Sequence, residues 1–192
     1  MKIVGITGGI GSGKTTVCKV FEQLGIPVYN ADNSAKRLLD TDSILMNNVC
    51  LLFGNNIYVQ GKLDRTELAS IVFSDTEKLR QLNELVHPTV ATDFKQWTDR
   101  QNGDIVIKEA AILFETGGYK ALDTTILIHA PENIRIERVM KRDGVSSKEV
   151  KARMNNQWPE QRKMELADHI IENHNGNLII PQVLRILETL RI

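Results

Sequence analysis

The chain has 192 residues, 42% of them hydrophobic, which suits one domain with a sizeable core and a small inserted subdomain. Its 24 Lys and Arg residues balance its 24 Asp and Glu residues, so no net charge attracts it to nucleic acid or to a membrane surface. No apolar run approaches the roughly 20 residues of a membrane-spanning helix. Cys18 and Cys50 form neither a disulfide framework nor a metal-binding pair, and we predict two small core residues in a reducing cytoplasm.

The N-terminus predicts a buried strand at Lys2–Thr7, a glycine-rich loop and a helix at Thr16–Leu24. Residues 8–15 fit the phosphate-loop pattern G-x-x-x-x-G-K-[ST]. In such a loop the backbone N–H groups and the helix dipole attract phosphate, Lys14 reaches the β- and γ-phosphates and the Thr15 hydroxyl ligates Mg²⁺. We therefore predict a nucleoside-triphosphate site, and no cleavable signal, because cleavage would remove the loop.

Apolar runs alternating with helical patterns follow, which is typical of a parallel α/β sheet. Four further strands are predicted, at Val28–Tyr29, Asp104–Lys108, Thr125–His129 and His169–Glu172. Residues 32–100 show almost only helical spacing, more than one crossover needs, which predicts a helical insertion with helices at Ala35–Leu39, Ile44–Phe53, Arg65–Phe73, Glu77–Val86 and Val90–Trp97. A basic helical stretch, Pro131–Ala167, and an amphipathic segment, Leu178–Leu190, complete the pattern.

Two carboxylates follow predicted strands, at the sheet edge where α/β proteins bind ligands. Asp32 suits a base that accepts a substrate hydroxyl proton, and equally suits a helix N-cap. Glu109 suits the Mg²⁺ shell, through water, or is a solvated strand-end carboxylate. Asp64 is better explained as the N-cap of the next helix, with Glu67 completing a capping box.

The basic stretch narrows the class of nucleotide protein. Arg138 and Arg142 are four residues apart and share a helix face, so they could grip one triphosphate, although a solvated basic face is equally compatible. The chain has no Asn-Lys-x-Asp tetrapeptide, which disfavours a GTPase, and no strand of four apolar residues followed by Asp, which disfavours an ATP-driven machine. The pattern favours a small-molecule kinase.

A series of motifs, in a fixed order, extends over nearly the whole chain. Residues 7–16 (TGGIGSGKTT) are close to T-G-G-I-G-S-G-K-S-T, and later matches are residues 30–32 to D-A-D, 61–65 to G-x-L-D-R, 87–88 to H-P, 109–115 to D-V-P-L-L-F-E, 138–143 to R-V-x-x-R-D and 167–173 to A-D-x-V-I-x-N. The opening motif occurs in many kinases, but the series as a whole is specific. By this series the chain resembles the dephospho-coenzyme A kinase family, which phosphorylates a ribose 3′-hydroxyl in the last step of coenzyme A synthesis.

The resemblance implies an α/β, three-layer P-loop NTPase fold with a parallel five-stranded sheet, a helical substrate-domain insertion and a helical lid. Core residues would be 1–31, 101–134 and 166–192, the insertion 32–100 and the lid 135–165. It also implies use of ATP and Mg²⁺, with dephospho-coenzyme A as acceptor, in a cytoplasmic monomer or small homo-oligomer that binds neither nucleic acid nor membrane.

The resemblance further implies roles for individual residues. Asp32, Lys14 and Arg138 would be catalytic, with Asp32 the general base. ATP would contact Gly9, Gly11, Ser12, Gly13, Lys14, Thr15, Thr16 and Arg142. Thr15 would ligate Mg²⁺, with Glu109 acting through water. Asp32, Arg65 and His87 would contact the acceptor, although His87 is favoured slightly as a packed, hydrogen-bonded residue opening a helix.

The chain departs from the family pattern at three positions, and two other functions fit the same phosphate loop. Asn30 replaces the first Asp of D-A-D, Glu109 replaces the Asp of D-V-P-L-L, and Ala111 replaces its Pro. A nucleoside-monophosphate kinase would need a nucleotide-reading arginine soon after the loop, and Arg37 is the first available. A nucleotide-dependent switch would bind ATP without acceptor-dependent ADP release.

Overall fold

The computed structural model describes residues 1–174 and 176–191. Helices and strands follow each other in the order β1 (Lys2–Thr7), α1 (Lys14–Gln23), β2 (Val28–Asn30), α2 (Ala31–Thr41), α3 (Ser43–Phe53), β3 (Tyr58–Val59), β4 (Lys62–Leu63), α4 (Arg65–Ser74), α5 (Thr76–Thr98), β5 (Ile105–Glu109), β6 (Thr124–His129), α6 (Glu132–Asp143), α7 (Ser147–Met154), α8 (Glu160–Leu166), β7 (His169–Glu172) and α9 (Ile179–Leu190). Short 3₁₀ turns lie at Asn55–Ile57 and Gly118–Ala121. No helix in this part of the chain is long and apolar enough to cross a membrane.

The predicted parallel five-stranded sheet is confirmed, with the strand order β2-β5-β1-β6-β7. Its central strand, β1, carries fully buried Val4 and Ile6, which pack with Phe21 of α1 and Val183 of α9 in one core. Helices cover the sheet and produce a three-layer α/β architecture. Since all strands are parallel, their carboxyl ends meet at one edge, where the loop between β1 and α1 begins.

Two compact units divide the chain. One contains residues 1–30 together with the described residues after position 100, and so holds the five-stranded sheet, α1 and α6–α9. The other is Ala31–Arg100, which holds α2–α5 and the small β3–β4 sheet. Cys18 lies buried in the first unit and Cys50 is half-buried in the second, both as free thiols.

The two helices predicted at 77–86 and 90–97 are one helix, α5, which continues through Pro88. A proline inside a helix costs about 3 kcal/mol, because it removes a hydrogen bond and crowds the preceding turn. The helix buries one apolar stripe at four-residue spacing on both sides of the proline: Leu82, Val86, Val90 and Phe94. Burial of four such side chains contributes about 6–12 kcal/mol, which exceeds the cost of the proline.

A two-stranded hairpin interrupts a region predicted to be almost entirely helical. Its strands β3 and β4 pair antiparallel around Gln60 and Gly61, which both have positive φ, as a type I′ hairpin turn requires. The next residues confirm Asp64 as the N-cap of α4, but the predicted capping box is wrong. The N–H of Asp64 donates to the carbonyl of Ile57 at 2.8 Å, so it is already engaged when the helix begins.

Candidate active site

The loop between β1 and α1 has the geometry of a phosphate-binding loop. Gly13 is the N-cap of α1 with φ 94°, and it gives the helix no side-chain cap, since glycine has none. The N–H of Ser12 donates to the carbonyl of Gly9 at 3.0 Å and so closes the loop on itself. Lys14 Nζ donates to the carbonyl of Gly8 at 2.8 Å, which holds the ammonium group over the loop. The helix N-terminus and this cation both favour a bound anion.

Neighbouring groups fit the loop so closely that a Cβ on any of its four glycines, at positions 8, 9, 11 and 13, would lie within 3 Å of another atom. A Cβ on Gly9 would lie 2.1 Å from Nη1 of Arg135, and one on Gly13 would lie 2.1 Å from Nδ2 of Asn173. Arg135 is buried in α6, and Asn173 directly follows β7. The backbone of the loop is therefore enclosed from two sides by polar side chains.

The loop carbonyls are held from outside. Nδ2 of Asn173 donates to the carbonyl of Ser12 at 2.7 Å, and Nη1 of Arg138 lies 3.4 Å from the same oxygen and 3.5 Å from that of Gly11. In a trans peptide the C=O and N–H groups point in opposite directions. The N–H of Gly13 therefore points away from Asn173, as it must to meet a phosphate inside the loop.

Glu109 ends β5 beside the phosphate loop's strand and is only 5% exposed, so the alternative of a solvated carboxylate is wrong. Its partner in the neighbouring strand, Asn30, donates a hydrogen bond from Nδ2 to Oε2 of Glu109. Burial raises the pKa of the Cys18 thiol to about 12, and the nearby charges of Glu109 and Glu22 add to the rise. The described residues contain no group of three or more His, Cys, Asp or Glu side chains that could hold a metal ion.

The two arginines predicted to grip a triphosphate have different surroundings. Arg138 is half-buried against the loop, as described above, whereas Arg142 is directed to Asp143, with bonds of 2.7 and 3.0 Å. Its side chain is 64% exposed, and Asp143 also pairs with Arg153 at 2.8 Å. The hydrogen bond from Arg142 lowers the pKa of Asp143, which keeps this carboxylate charged and the guanidinium occupied.

The predicted acceptor residues lie in the second unit. Asp32 is exposed in the first turn of α2, which begins at Ala31, so the N-cap alternative is wrong and the residue is helical. Arg65 donates to Asp40 at 2.5 Å and to the carbonyl of Lys36 at 3.1 Å. His87 is exposed inside α5 and does not open a helix, so its alternative as a packed helix-opening residue is also wrong.

The family model described as Dephospho-CoA kinase matches residues 2–178 of this chain. A dephospho-CoA kinase of Porphyromonas gingivalis is 43% identical over 192 residues, which are 100% of this chain and 95% of that protein. The chain belongs to the dephospho-CoA kinase family. Kinases of this family phosphorylate dephospho-CoA to CoA in the last step of CoA biosynthesis.

Solved structures agree with this membership of the dephospho-CoA kinase family. A crystal structure of a protein from Thermus thermophilus has a TM-score of 0.90 at 37% identity, covering 98% of this chain and 96% of that one. A dephospho-CoA kinase from Campylobacter jejuni has a TM-score of 0.71 at 28% identity, with the same coverage. The α/β fold and the P-loop kinase class predicted from the sequence are thereby confirmed.

Three residues that enclose the loop were not among those predicted from the sequence: Arg135, Asn173 and Gln157, which bonds to the backbone of Ile10. Asn173 had a usable signal, because it ends a strand at the ligand-binding edge and closes a motif of the dephospho-CoA kinase family. For Arg135 the only signal in the sequence was the composition of a basic helix. For Gln157 the sequence offered no signal, because its contact with the loop joins residues 147 positions apart.

Proposed function

We propose that this chain transfers the γ-phosphoryl group of ATP to the ribose 3′-hydroxyl of dephospho-CoA, in the cytoplasm and with Mg²⁺. The observation that carries the proposal is the family match over residues 2–178, which includes the phosphate loop between β1 and α1. Phosphoryl transfer needs mainly positioning and charge neutralisation, and the loop supplies both.

The residues around the loop suit Mg²⁺, which prefers hard oxygen ligands and keeps several of its waters. Thr15, exposed at the start of α1, offers a hydroxyl, and Glu109 offers a buried carboxylate that can accept a hydrogen bond from a metal-bound water. The bound cation would neutralise charge on the β- and γ-phosphates. We assign Thr15 as the direct ligand and Glu109 as the partner through water.

ATP would be held by the loop residues Gly9, Gly11, Ser12, Gly13, Thr15 and Thr16, with Lys14 on the β- and γ-phosphates. Lys14 Nζ, now bonded to the carbonyl of Gly8 at 2.8 Å, would exchange this neutral acceptor for phosphate oxygens. Arg138, which already lies against Ser12, would neutralise charge developing in transfer. Arg142 would have to leave Asp143 to bind a phosphate, so its part in ATP binding depends on a rearrangement of α6 side chains.

The acceptor would be activated by Asp32, which takes the proton of the 3′-hydroxyl, and bound by Arg65 and His87. Asp32 sits two residues after β2 ends, on the first turn of α2. A base at this place follows the rule that strand ends of α/β sheets carry the chemistry.

The test is ADP release from Mg·ATP with dephospho-CoA, AMP or shikimate as acceptor, or with none. Stimulation by dephospho-CoA alone, with one phosphate added at the 3′-position, supports the proposal. Stimulation by AMP instead would indicate a nucleoside-monophosphate kinase, and ATP binding with no acceptor dependence would indicate a switch.

The base is tested by Asp32→Asn, which should lower kcat by roughly 10²–10⁴-fold and leave ATP affinity nearly intact. Asp99→Asn is the matched control, because Asp99 is exposed and its side chain pairs with Lys95, four residues earlier in α5, at 3.1 Å. Lys14→Ala should impair ATP binding itself. An Asp32→Asn variant with wild-type turnover would contradict the assignment of the base.

A further inference from the structure

One side chain joins the phosphate loop to the loop that follows β5. Oε1 of Gln157 accepts a hydrogen bond from the N–H of Ile10 at 2.9 Å, and its Nε2 donates to the carbonyl of Ala111 at 3.2 Å. Gln157 lies just after α7, where its own N–H donates to the carbonyl of Met154 at 2.9 Å. A primary amide offers a donor atom and a separate acceptor atom at the end of one uncharged side chain.

The bond to Ile10 restrains the peptide that closes the phosphate loop. The carbonyl of Gly9 and the N–H of Ile10 belong to the same peptide and point in opposite directions. That carbonyl accepts the N–H of Ser12 at 3.0 Å inside the loop, while the N–H donates to Gln157 outside it. Gln157 therefore fixes the orientation of a peptide on which the curvature of the loop depends.

The second hydrogen bond of Gln157, to the carbonyl of Ala111, anchors this restraint to the loop that follows β5. Strands β1 and β5 are paired up to Ile6 and Glu109, and the N–H of Ala110 still donates to the carbonyl of Ile6 at 3.0 Å. Beyond that point the hydroxyl of Thr7 donates to the carbonyl of Ala111 at 3.5 Å. Gln157 then joins the two loops at Ile10 and Ala111, on the edge of the sheet that carries Glu109.

The segment that carries Gln157 is itself anchored, so the amide does not simply follow the loop. The N–H of Trp158 donates to Oε1 of Glu115 at 3.0 Å, and the same oxygen lies 3.1 Å from Nζ of Lys163, which is fully buried. The Lys163 contact is an ion pair whose angles fall outside hydrogen-bond geometry. Glu160, in the same segment, pairs with Arg135 at 3.5 Å.

We propose that Gln157 is a positioning residue for phosphoryl transfer, which acts by holding the Ile10 peptide of the phosphate loop against the Ala111 loop. This inference rests on the proposed kinase function. Small displacements of groups that contact the transition state lower the turnover rate more than they lower substrate affinity, because a shift of about 1 Å can reduce turnover about 100-fold. Loss of Gln157 should therefore lower kcat while leaving the KM for ATP nearly unchanged.

The experiment compares Gln157→Leu, Gln157→Glu and the control Gln161→Leu. Leucine keeps the approximate size and removes both bonds, whereas glutamate keeps the acceptor for Ile10 and loses the donor to Ala111. Gln161 is an exposed glutamine of α8 whose amide donates to Glu165, on the same helix, at 3.4 Å. We expect kcat to fall roughly 10- to 100-fold in Gln157→Leu and less in Gln157→Glu, with the KM for ATP within about threefold of wild type. The control should match wild type.

Amide exchange at Ile10, followed by NMR without any acceptor, provides a readout that does not depend on turnover. It should accelerate about tenfold or more in Gln157→Leu and remain unchanged in the control and in Gln157→Glu. The inference would be overturned if both Gln157 variants kept the wild-type kcat, or if amide exchange at Ile10 were unchanged in Gln157→Leu. It would also be overturned if the loss in kcat were matched by an equal rise in the KM for ATP. If Gln157→Leu fails to fold, Gln157→Glu decides by its kcat. Absence of dephospho-CoA-dependent ADP release in the wild type would instead refute the proposed function, and the exchange measurement would still test the restraint.

Discussion

Gly13→Ala tests how tightly the phosphate loop is enclosed. Gly13 has a φ of 94°, where an alanine is strained by about 1–2 kcal/mol. Its Cβ would lie 2.1 Å from Nδ2 of Asn173, so the amide has to move and lose its 2.7 Å bond to the carbonyl of Ser12. A hydrogen bond of this kind contributes about 0.5–1.5 kcal/mol. We therefore expect the free energy of unfolding to fall by about 2–3 kcal/mol.

The double variant with Asn173→Ala separates the two causes. Asn173→Ala alone should cost about 1 kcal/mol, the value of the lost bond. In the double variant the amide is absent, so the new Cβ has room and only the strain and the one lost bond remain. The double variant should therefore be about as stable as Gly13→Ala. The sum of the stability losses of the two single variants should exceed the loss of the double variant by about 1 kcal/mol.

Urea unfolding followed by circular dichroism measures all three variants, with Gly144→Ala as the control. Gly144 also has a positive φ, 68°, but its Cβ would meet nothing within 4 Å, so its alanine variant reports strain alone. Strict additivity of Gly13→Ala and Asn173→Ala, or equal losses in Gly13→Ala and Gly144→Ala, would refute the reasoning that the asparagine blocks the site.

Three further predictions concern single groups. Asp64→Ala should lower the free energy of unfolding by about 1 kcal/mol in urea, because it removes the N-cap of α4, and an unchanged midpoint would contradict the role of the cap. Because burial raises the pKa of Cys18 to about 12, its thiol stays protonated at pH 8. Mass spectrometry should therefore find Cys50 alkylated first, and equal alkylation rates of the two cysteines would contradict the burial of Cys18. Burial opposes ionisation of Asp168, but hydrogen bonds from the Thr125 hydroxyl and N–H lower its pKa below the ordinary value of 3.8. The ionised carboxylate therefore stabilises the fold above pH 3.8, and this stabilisation is lost as the pH falls through the lowered pKa. The stability difference between wild type and Asp168→Asn should accordingly be present at pH 7 and shrink towards pH 3, and a constant difference would point to lost packing instead.

Elements that depend on local pattern were predictable from the sequence. Strands β1 and β7 have the bounds that their apolar runs predict, and α3 differs from its prediction only by starting at Ser43. Asp64 could be identified as an N-cap because the signal lies within three residues of the helix start. In each case the residues that determine the structure are neighbours along the chain.

Features that depend on contacts between distant residues were not predictable. The continuity of α5 through Pro88 is decided by an apolar stripe packed against other helices, which outweighs the local preference of proline. The burial of Glu109 follows from its position on an interior strand, between β2 and β1, and the sequence does not contain this strand order. The pairing of Arg142 with Asp143 is local, yet nothing in a basic helix indicates which arginines turn to a carboxylate and which turn to the phosphate loop.

The two departures that replace an aspartate of the family pattern, Asn30 and Glu109, are neighbours in the sheet. They are register partners at the carboxyl ends of β2 and β5, and the Asn30 amide donates to the Glu109 carboxylate. An aspartate at position 30 would place a second carboxylate against one that is already buried, where like charges repel each other. With asparagine, a neutral donor fixes one oxygen of the longer Glu109 side chain. The two substitutions are therefore physically compatible as a pair, and each is harder to explain alone.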